Sequence, residues 1–219
     1  MTRVRLLWRS SVGKKMIMAV TGIIWVAYLV IHALANLLVF QGPGTINAYS
    51  AFLHGTGGAL WAARLVLIAA LVLHITAAVQ LTQRQQDARP VGYAGGRKSL
   101  ASTWAARTIR WGGALILVFL VYHILHFTIG TAHPSFAELN PYHNVAAGFR
   151  SPVVVAIYLV AMAAVGLHLY HGLWSSGRIL GVSAPSPRPL RRSLALALAL
   201  LVWLSFSIIP IAVYAGVVR

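Results

Sequence analysis

The sequence has very few acidic residues, and this scarcity limits the class of protein it can encode. Two of its 219 residues are acidic, Asp87 and Glu138, against 18 lysines and arginines. Charged residues make up 9% of the chain, whereas a typical soluble domain has about 25%. So few charges cannot cover the surface of a soluble domain of this length, and the composition therefore excludes that class.

Cysteine is absent altogether, and its absence restricts the redox chemistry that this chain can support. Without thiols it cannot form disulfides, thiolate metal sites or cysteine-held iron–sulfur clusters. It also cannot attach a c-type haem covalently, because that attachment uses cysteines. Any redox centre in the chain must use other side chains.

Hydrophobic residues make up 59% of the chain and are concentrated in long runs. A membrane-crossing helix needs about 20 predominantly apolar residues. Runs of this length cover about residues 15–40, 60–81, 108–129, 152–174 and 194–217. The sequence therefore predicts an all-α integral membrane protein with five transmembrane helices in a single domain over residues 1–219. The first run is too long for a signal peptide and lacks a cleavage motif, so no cleavable signal is expected.

The segments that join the apolar runs are predicted to be loops. Gly42, Pro43 and Gly44 break the chain after the first run, and a polar segment from His133 to Asn144 follows the third. Pro210 lies inside the fifth run, where membrane helices tolerate a kink.

The basic residues lie almost entirely on one side of the predicted spans. Fifteen of the 18 lie in three segments: before span one, between spans two and three, and between spans four and five. The exceptions are Arg64, Arg150 and Arg219. Cytoplasmic loops carry an excess of Lys and Arg, so the N-terminus is predicted to be cytoplasmic and the C-terminus outside. Because the charge is clustered between apolar runs, no nucleic-acid binding is expected despite the net charge of +16.

Histidine is the ionisable residue that recurs inside the spans. Six of the nine histidines lie there: His32, His74, His123, His126, His168 and His171. An ionisable side chain within the membrane is usually functional, although a single histidine can simply hydrogen-bond a neighbouring helix. Histidines on four consecutive spans make that explanation weak. The other three lie in outer segments and are interpreted as surface residues: His54, His133 and His143.

The intramembrane histidines differ in depth. At about 1.5 Å per residue, His74 and His168 each lie about 15 Å from the nearest cytoplasmic-side arginine. His32 lies about 27 Å and His123 about 20 Å from the nearest cytoplasmic-side basic residue. Two histidines at similar depth on different helices can ligate one iron from opposite faces. A shallow pair and a deeper pair therefore predict two b-type haems stacked across the membrane.

Two further histidines leave the ligand choice open at this point. His126 follows His123 by one helical turn, and His171 follows His168 in the same way, so each shares a helix face with its neighbour. Either could replace that neighbour as ligand, bind a haem propionate or line a quinone pocket.

The ordered set of motifs around these histidines points to a family. It comprises Ser10-Ser11-Val12-Gly13-Lys14-Lys15 before span one, His32-Ala-Leu-Ala-Asn36, His74, Val121-Tyr122-His123 and His168-Leu-Tyr-His171-Gly172-Leu173-Trp174-Ser175. With five spans and a cytoplasmic N-terminus, the chain resembles the di-haem cytochrome b membrane-anchor subunit of bacterial succinate dehydrogenases and fumarate reductases (respiratory complex II). The resemblance covers essentially the whole chain.

The resemblance implies that each of the first four helices supplies one haem ligand and the fifth supplies none. The family pattern places the fourth ligand four residues before Gly-Leu-Trp-Ser, which selects His168 over His171. The third ligand follows an aromatic residue, which selects His123 over His126. The resemblance therefore implies a distal haem between His32 and His123, and a proximal haem, nearer the cytoplasm, between His74 and His168.

The resemblance also implies the cellular role. The chain would anchor a flavoprotein subunit with FAD and an iron–sulfur subunit on the cytoplasmic face of the bacterial inner membrane. Succinate would be oxidised in those subunits, so no catalytic residue is expected in this chain. Electrons would pass through the iron–sulfur clusters and two haems to menaquinone. The basic residues suit docking to partners and to anionic lipid, and a higher oligomer of the complex is compatible with this role.

Candidate quinone-site residues form two groups. A cytoplasmic-side site would draw on Ser10, Ser11, Lys14, Gln80 and Trp174. A distal site would draw on Asn36, His54 and His126. Some fumarate reductases of this type carry a glutamate two residues before the fourth ligand, where this chain has Gly166. Because no span contains Asp or Glu, we expect succinate oxidation as the working direction, without a carboxylate path for protons.

Two other classes of protein fit the sequence less well. The cytochrome b anchor of a formate dehydrogenase, hydrogenase or nitrate reductase also binds two haems, but often with two ligands on one helix. A helical transporter or proton channel with histidine relays would bind no haem and would contain more intramembrane polar residues.

Overall fold

The computed structural model describes residues 8–88, 104–181 and 189–219. Every regular element in these ranges is helical. The α-helices are α1 (Ser11–Leu37), α2 (Pro43–Gly55), α3 (Gly58–Asp87), α4 (Trp104–Ile124), α5 (Pro141–Gly148), α6 (Pro152–Ile179) and α7 (Pro189–Tyr214). A 3₁₀ turn, Leu38–Gln41, extends α1, and a π-helical turn, Leu125–Ile129, extends α4.

Five of these helices are long and apolar enough to cross a membrane: α1, α3, α4, α6 and α7. The predicted all-α, multi-pass membrane fold is confirmed at this level. The helices are longer than the apolar runs, because α3 continues beyond Leu81 to Asp87 and α6 beyond Trp174 to Ile179. The extension of α3 is rich in glutamine. Glutamine is too polar to count toward an apolar run, but it is a good helix former, so the helix continues where the run ends.

Two segments interpreted as loops contain helices instead. Gly42 does break the chain, with a φ of 95°, but Pro43 immediately begins α2. Pro141 begins α5, and the side chain of Asn140 caps that helix by accepting a hydrogen bond from the His143 amide. Proline suits the first helical position because its missing N–H would have no partner there. Both helices are too short to register as apolar runs.

The first long helices run in alternating directions. The start of α1 meets the end of α3, where Arg84 donates to Ser11 Oγ at 3.4 Å. The end of α3 meets the start of α4, where Arg110 donates to Gln85 Oε1 at 2.8 Å. We call this end of the bundle the basic end. Its described basic residues are Arg9, Lys14, Lys15, Arg84, Arg107, Arg110, Arg178, Arg191 and Arg192.

The helix α6 runs antiparallel to α4, and α7 packs along α6. His168 lies beside Gly113, and Tyr158 beside His123, so the two sequences run in opposite directions past each other. Val202 of α7 is fully buried among small and medium apolar side chains of α6. On the outer faces, large apolar residues such as Trp111 and Val118 are exposed, as expected for helices that are solvated by lipid.

The opposite end of the bundle, which we call the far end, is covered by α2, α5 and residues 130–140. Asn47 of α2 joins these parts: its Nδ2 donates to Asn140 Oδ1 at 3.0 Å, and its Oδ1 accepts from the Tyr142 amide at 3.1 Å. Asn144 makes two further bonds to the backbone of Ala137. These amide side chains satisfy irregular backbone that would be costly to leave unpaired near a membrane.

Candidate functional site

Four of the intramembrane histidines meet as two pairs. His74 of α3 faces His168 of α6, with ring centroids 6.2 Å apart and an interplanar angle of 51°. His32 of α1 faces His123 of α4, with centroids 6.0 Å apart and an angle of 84°. These are the two pairs that the sequence predicts, and the first lies nearer the basic end. Their role as ligands stays a prediction.

The spacing within each pair fits two imidazoles on one metal ion. A metal–imidazole bond is about 2.0–2.1 Å, as in zinc sites, and a ring nitrogen lies about 1.1 Å from its centroid, so ligands on opposite sides of a metal have centroids about 6.3 Å apart. The observed 6.0 and 6.2 Å agree with this value. The pairs thus have the separation that a bis-histidine haem requires.

The donor set also fits haem better than a bare metal ion. In the part of the chain that the structure describes, no three His, Asp or Glu residues form a group that could hold a metal. Each pair therefore offers two nitrogens only. A haem iron needs just two protein ligands, because its porphyrin fills the other positions.

Thr21 determines which nitrogen of His74 carries the proton. Its hydroxyl donates to the Ile17 carbonyl at 2.7 Å, and its Oγ1 lies 3.1 Å from His74 Nδ1. Since the hydroxyl proton is used on Ile17, the oxygen accepts the Nδ1 proton of His74. This leaves Nε2 with its lone pair, which is the form that binds a metal.

Small residues lie against both rings of the His74–His168 pair, and a partly open cavity adjoins His168. A Cβ added at Gly22 would lie 3.3 Å from His74 Cε1, and one at Gly113 would lie 3.6 Å from His168 Cε1. A cavity of about 220 Å³ lies between α4 and α6 beside His168, with an almost entirely apolar lining. His168 Nδ1 is buried and has no hydrogen-bond partner. The surroundings suit a flat, largely apolar group held by nitrogen ligation.

Aromatic rings surround the other pair. His32 stacks on Tyr28 with centroids 5.3 Å apart and lies 5.6 Å from Phe206. Among the described residues no hydrogen bond engages its ring nitrogens, so both remain available for ligation. His123 Nδ1 lies 3.3 Å from the hydroxyl of Tyr158. This pair, like the first, has one histidine in contact with a hydroxyl and one without such a contact.

The alternative ligands lie elsewhere. In the described part of the chain, the ring of His126 makes no contact with that of His32, and the ring of His171 makes none with that of His74. His126 has no exposed surface and packs against Tyr122 and Phe127. His171 lies near Trp174, with centroids 6.4 Å apart.

The structure brings most of the predicted cytoplasmic-side quinone residues together at the basic end. Lys14 is 4% exposed and donates to Gln80 Oε1 at 2.5 Å. Ser10 caps α1 by accepting from the Gly13 amide at 2.8 Å, and Ser11 accepts from Arg84 as described above. No hydrogen bond or ring contact within the described part joins Trp174 to this group.

Trp174 instead belongs to a separate cluster on α6 and α7. Its ring lies 5.4 Å from the guanidinium of Arg178 and 4.6 Å from that of Arg192. Such cation–π contacts are typical of interfacial anchors. The prediction that Trp174 belongs with Ser10, Ser11, Lys14 and Gln80 therefore gains no support from its contacts.

The predicted distal quinone residues are not assembled by direct contacts. Asn36 donates to the His32 carbonyl at 2.7 Å, and exposed His54 donates through Nδ1 to the Ser50 carbonyl at 2.8 Å, each within its own helix. His126 is enclosed, as noted above. The surface interpretation fits His143, which is exposed, but His133 is partly buried and donates to the Asn144 carbonyl at 2.8 Å.

The sequence reasoning missed two hydroxyl residues that contact the paired histidines, Thr21 and Tyr158. The depth argument gives only a partial signal for Tyr158, which lies about 15 Å along α6 from His168 and therefore at about the depth of His32, the other histidine of the deeper pair. Thr21 gives no comparable signal, since threonines commonly bond to their own helix backbone.

Comparison of the chain with protein-family models, with curated proteins and with solved structures finds no match.

Proposed function

We propose that the chain is the cytochrome b membrane anchor of a succinate:quinone oxidoreductase. The observation that carries the proposal is the pairing of four intramembrane histidines from four helices, at two depths, with the ring separation that a shared iron requires. The resemblance of the surrounding motifs to the di-haem anchor family narrows the class of complex.

In this proposal His32 and His123 hold a distal haem b, and His74 and His168 hold a proximal haem b. When bound, haem supplies one-electron transfer between the ferrous and ferric states of its iron. If both histidines of a pair bound the iron, no position would be left on it for oxygen or substrate, so these residues favour electron transfer. The hydroxyls of Thr21 and Tyr158 hold the imidazoles of His74 and His123 in place.

The basic end is proposed to face the cytoplasm of a bacterium, since positive residues are retained on that side of the inner membrane. A flavoprotein subunit with FAD and an iron–sulfur subunit would dock there. The His74–His168 pair is nearer this end, so electrons from the iron–sulfur subunit would reach it first. The His32–His123 pair would extend the path toward the far end.

Menaquinone is the proposed electron acceptor, and Lys14 with Gln80 is the strongest candidate pair for a quinone carbonyl. Lys14 supplies donor protons, and Gln80 fixes the direction of its ammonium group. Gly166, where some fumarate reductases carry glutamate, packs against Trp203: a Cβ there would lie 3.4 Å from Trp203 Cβ. That distance is an ordinary van der Waals contact, so the support for succinate oxidation as the working direction comes from the residue type, because position 166 carries no carboxylate.

The experiment that tests this function uses the complex purified from its native membrane. Succinate should reduce the b haems, and a flavoprotein and an iron–sulfur protein should co-purify with the chain. Formate and hydrogen should leave the haems oxidised. Reduction by formate or hydrogen but not by succinate would assign the chain to another respiratory oxidoreductase.

A further inference from the structure

The hydroxyl of Tyr158 lies between two histidines of α4 and its π-helical extension. Its oxygen is 3.3 Å from His123 Nδ1 and 3.0 Å from His126 Nδ1. Among the described residues, the hydroxyl makes no other hydrogen bond, and the aromatic rings around it are those of Phe119, Tyr122, Phe127 and Phe149. The two histidines are therefore the polar partners of this hydroxyl.

His126 is held rigidly for a residue outside the haem pairs. It has no exposed surface, and its ring is stacked by Tyr122 at an interplanar angle of 14°. On another side, a Cβ added at Gly148 would lie 3.0 Å from His126 Cε1. Its Nε2 is buried without a partner, so Tyr158 makes its one hydrogen bond among the described residues.

A tyrosine hydroxyl has one proton to donate. If it donates that proton to His126 Nδ1, its oxygen can accept the Nδ1 proton of His123. In the reverse arrangement His126 donates, the hydroxyl donates to His123 Nδ1, and the remaining proton of a neutral His123 is on Nε2. Whenever the Tyr158 proton is hydrogen-bonded to one of the two histidines, the histidines therefore have opposite protonation patterns.

The two arrangements differ in what they allow at His123. The first leaves the Nε2 lone pair of His123 free for a metal, whereas the second blocks it with a proton. His126 Nε2 is unpartnered in both, as donor or as acceptor, so it does not distinguish them. With the tyrosine proton hydrogen-bonded, ligation through His123 Nε2 therefore requires His126 to accept that proton.

We propose that His126 and Tyr158 are positioning residues that hold His123 as the Nδ1-protonated imidazole with its Nε2 lone pair free for iron. The inference rests on the proposed function, because it concerns His123 as a haem ligand. In this proposal His126 acts on the ligand His123 through the Tyr158 hydroxyl. It is then neither an alternative haem ligand nor a quinone contact. Hydrogen-bond partners of this kind raise the basicity of a ligand and typically change metal affinity about 10–100-fold.

The other pair contains a simpler version of the same arrangement. Thr21 directs its proton to the Ile17 carbonyl, so its oxygen accepts from His74 Nδ1. At Tyr158, the hydroxyl proton goes to His126 Nδ1, as the Thr21 proton goes to the Ile17 carbonyl. Each pair thus has one histidine that is fixed by a hydroxyl acceptor, which provides a matched control.

The test measures the midpoint potential of each haem in the purified complex. Tyr158→Phe removes the acceptor at His123 and should raise the potential of the His32–His123 haem, because a less basic ligand stabilises ferric iron less. A tenfold change in the oxidation equilibrium is expected, which is about 59 mV for a one-electron couple. The potential of the His74–His168 haem should not change, and His74→Ala, which removes that haem, identifies the two signals.

Two substitutions of similar size at position 126 separate hydrogen bonding from packing. Asn in His126→Asn can accept the Tyr158 proton and should keep the wild-type potential, whereas His126→Leu cannot and should shift it as Tyr158→Phe does. Thr21→Val should shift the other haem alone. If His126→Leu fails to accumulate, the comparison of Tyr158→Phe with Thr21→Val still tests the hydroxyl acceptor, and an unchanged potential in Tyr158→Phe alone overturns the proposal.

The outcomes distinguish this inference from the proposed function. A wild-type complex with two haems whose potentials are unchanged by Tyr158→Phe and His126→Leu would overturn the positioning role and leave the function intact. Equal shifts of both haems would also overturn it, because the effect would then be general. A wild-type complex without haem would overturn the proposed function itself.

Discussion

At the scale of single residues, the choice between neighbouring histidines is the main assignment. His168 and His171 lie on the same helix face, yet His74 meets His168, and His171 lies near Trp174. The same holds for His123, which meets His32, and His126, which bonds to Tyr158. In each set of neighbouring histidines, one therefore meets a histidine of another helix, and the one that follows it by a helical turn does not.

His168→Ala is expected to abolish the haem at the proximal pair, because the iron would lose one of its two protein ligands. His171→Ala should retain both haems and serves as the matched control one helical turn away. The haem content of the two purified variants, measured per polypeptide, checks this. Loss of a haem in His171→Ala together with retention in His168→Ala would reverse the ligand assignment.

The histidine pairs could be predicted from the sequence, whereas their hydroxyl partners could not. Helical rise converts the positions of His32, His74, His123 and His168 into depth, which separates a shallow pair from a deeper one. The motifs shared with the di-haem anchor family then favour His123 over His126 and His168 over His171. The contact of Tyr158 with His123 and His126 depends in addition on the rotation of α6 about its axis. An apolar run does not reveal that rotation, because lipid-facing and protein-facing positions of the helix are both apolar.

At the scale of elements, the five long helices could be predicted and the two short ones could not. Each long helix contains a run of apolar residues, and such a run can be recognised in the sequence without knowing what the helix packs against. The short helices α2 and α5 are held at the far end by contacts such as that of Asn47 with Asn140, distant in sequence. Their formation depends on tertiary contacts that a local pattern does not contain.

Gly130, which ends the extension of α4, is a position where a substitution should destabilise the far end. It ends the π-helical turn with a φ of 86°, and a Cβ there would lie 2.3 Å from Phe136 Cγ. We expect Gly130→Ala to destabilise the protein by about 1–3 kcal/mol, the usual cost of one strained backbone position. The midpoint of thermal unfolding in detergent measures this.

Gly44→Ala is the control for this prediction. Gly44 lies in the first turn of α2, and a Cβ there would meet nothing within 4 Å. Alanine is the better helix former, so the midpoint should stay the same or rise slightly. An equal loss of stability in both variants would show that the far end does not depend on the conformation of Gly130.

At the scale of the whole molecule, the distribution of charge is the feature that relates the bundle to the membrane. The basic end carries nine of the twelve described lysines and arginines, and the far end carries Arg64, Arg150 and Arg219. The scarcity of acids has a second consequence, because the one carboxylate in the described long helices is that of Asp87, at the basic end of α3. No carboxylate therefore lies deep within the described bundle to relay protons across it.

The absence of cysteine allows the membrane orientation to be tested directly. Single cysteines are introduced at exposed positions, Thr131→Cys at the far end and Gln86→Cys at the basic end. A membrane-impermeant maleimide should label the first in intact cells and the second only after permeabilisation. The cysteine-free parent controls for background, and the reverse pattern would contradict a cytoplasmic basic end.

The central claim is that the two histidine pairs each bind one haem b. The most direct test is the reduced-minus-oxidised absorption spectrum of the purified complex, combined with the ratio of haem to this polypeptide. The account predicts the spectrum of low-spin bis-histidine b haems and a ratio of two haems per chain. A colourless chain, or one whose haem is absent from both histidine pairs, would contradict it.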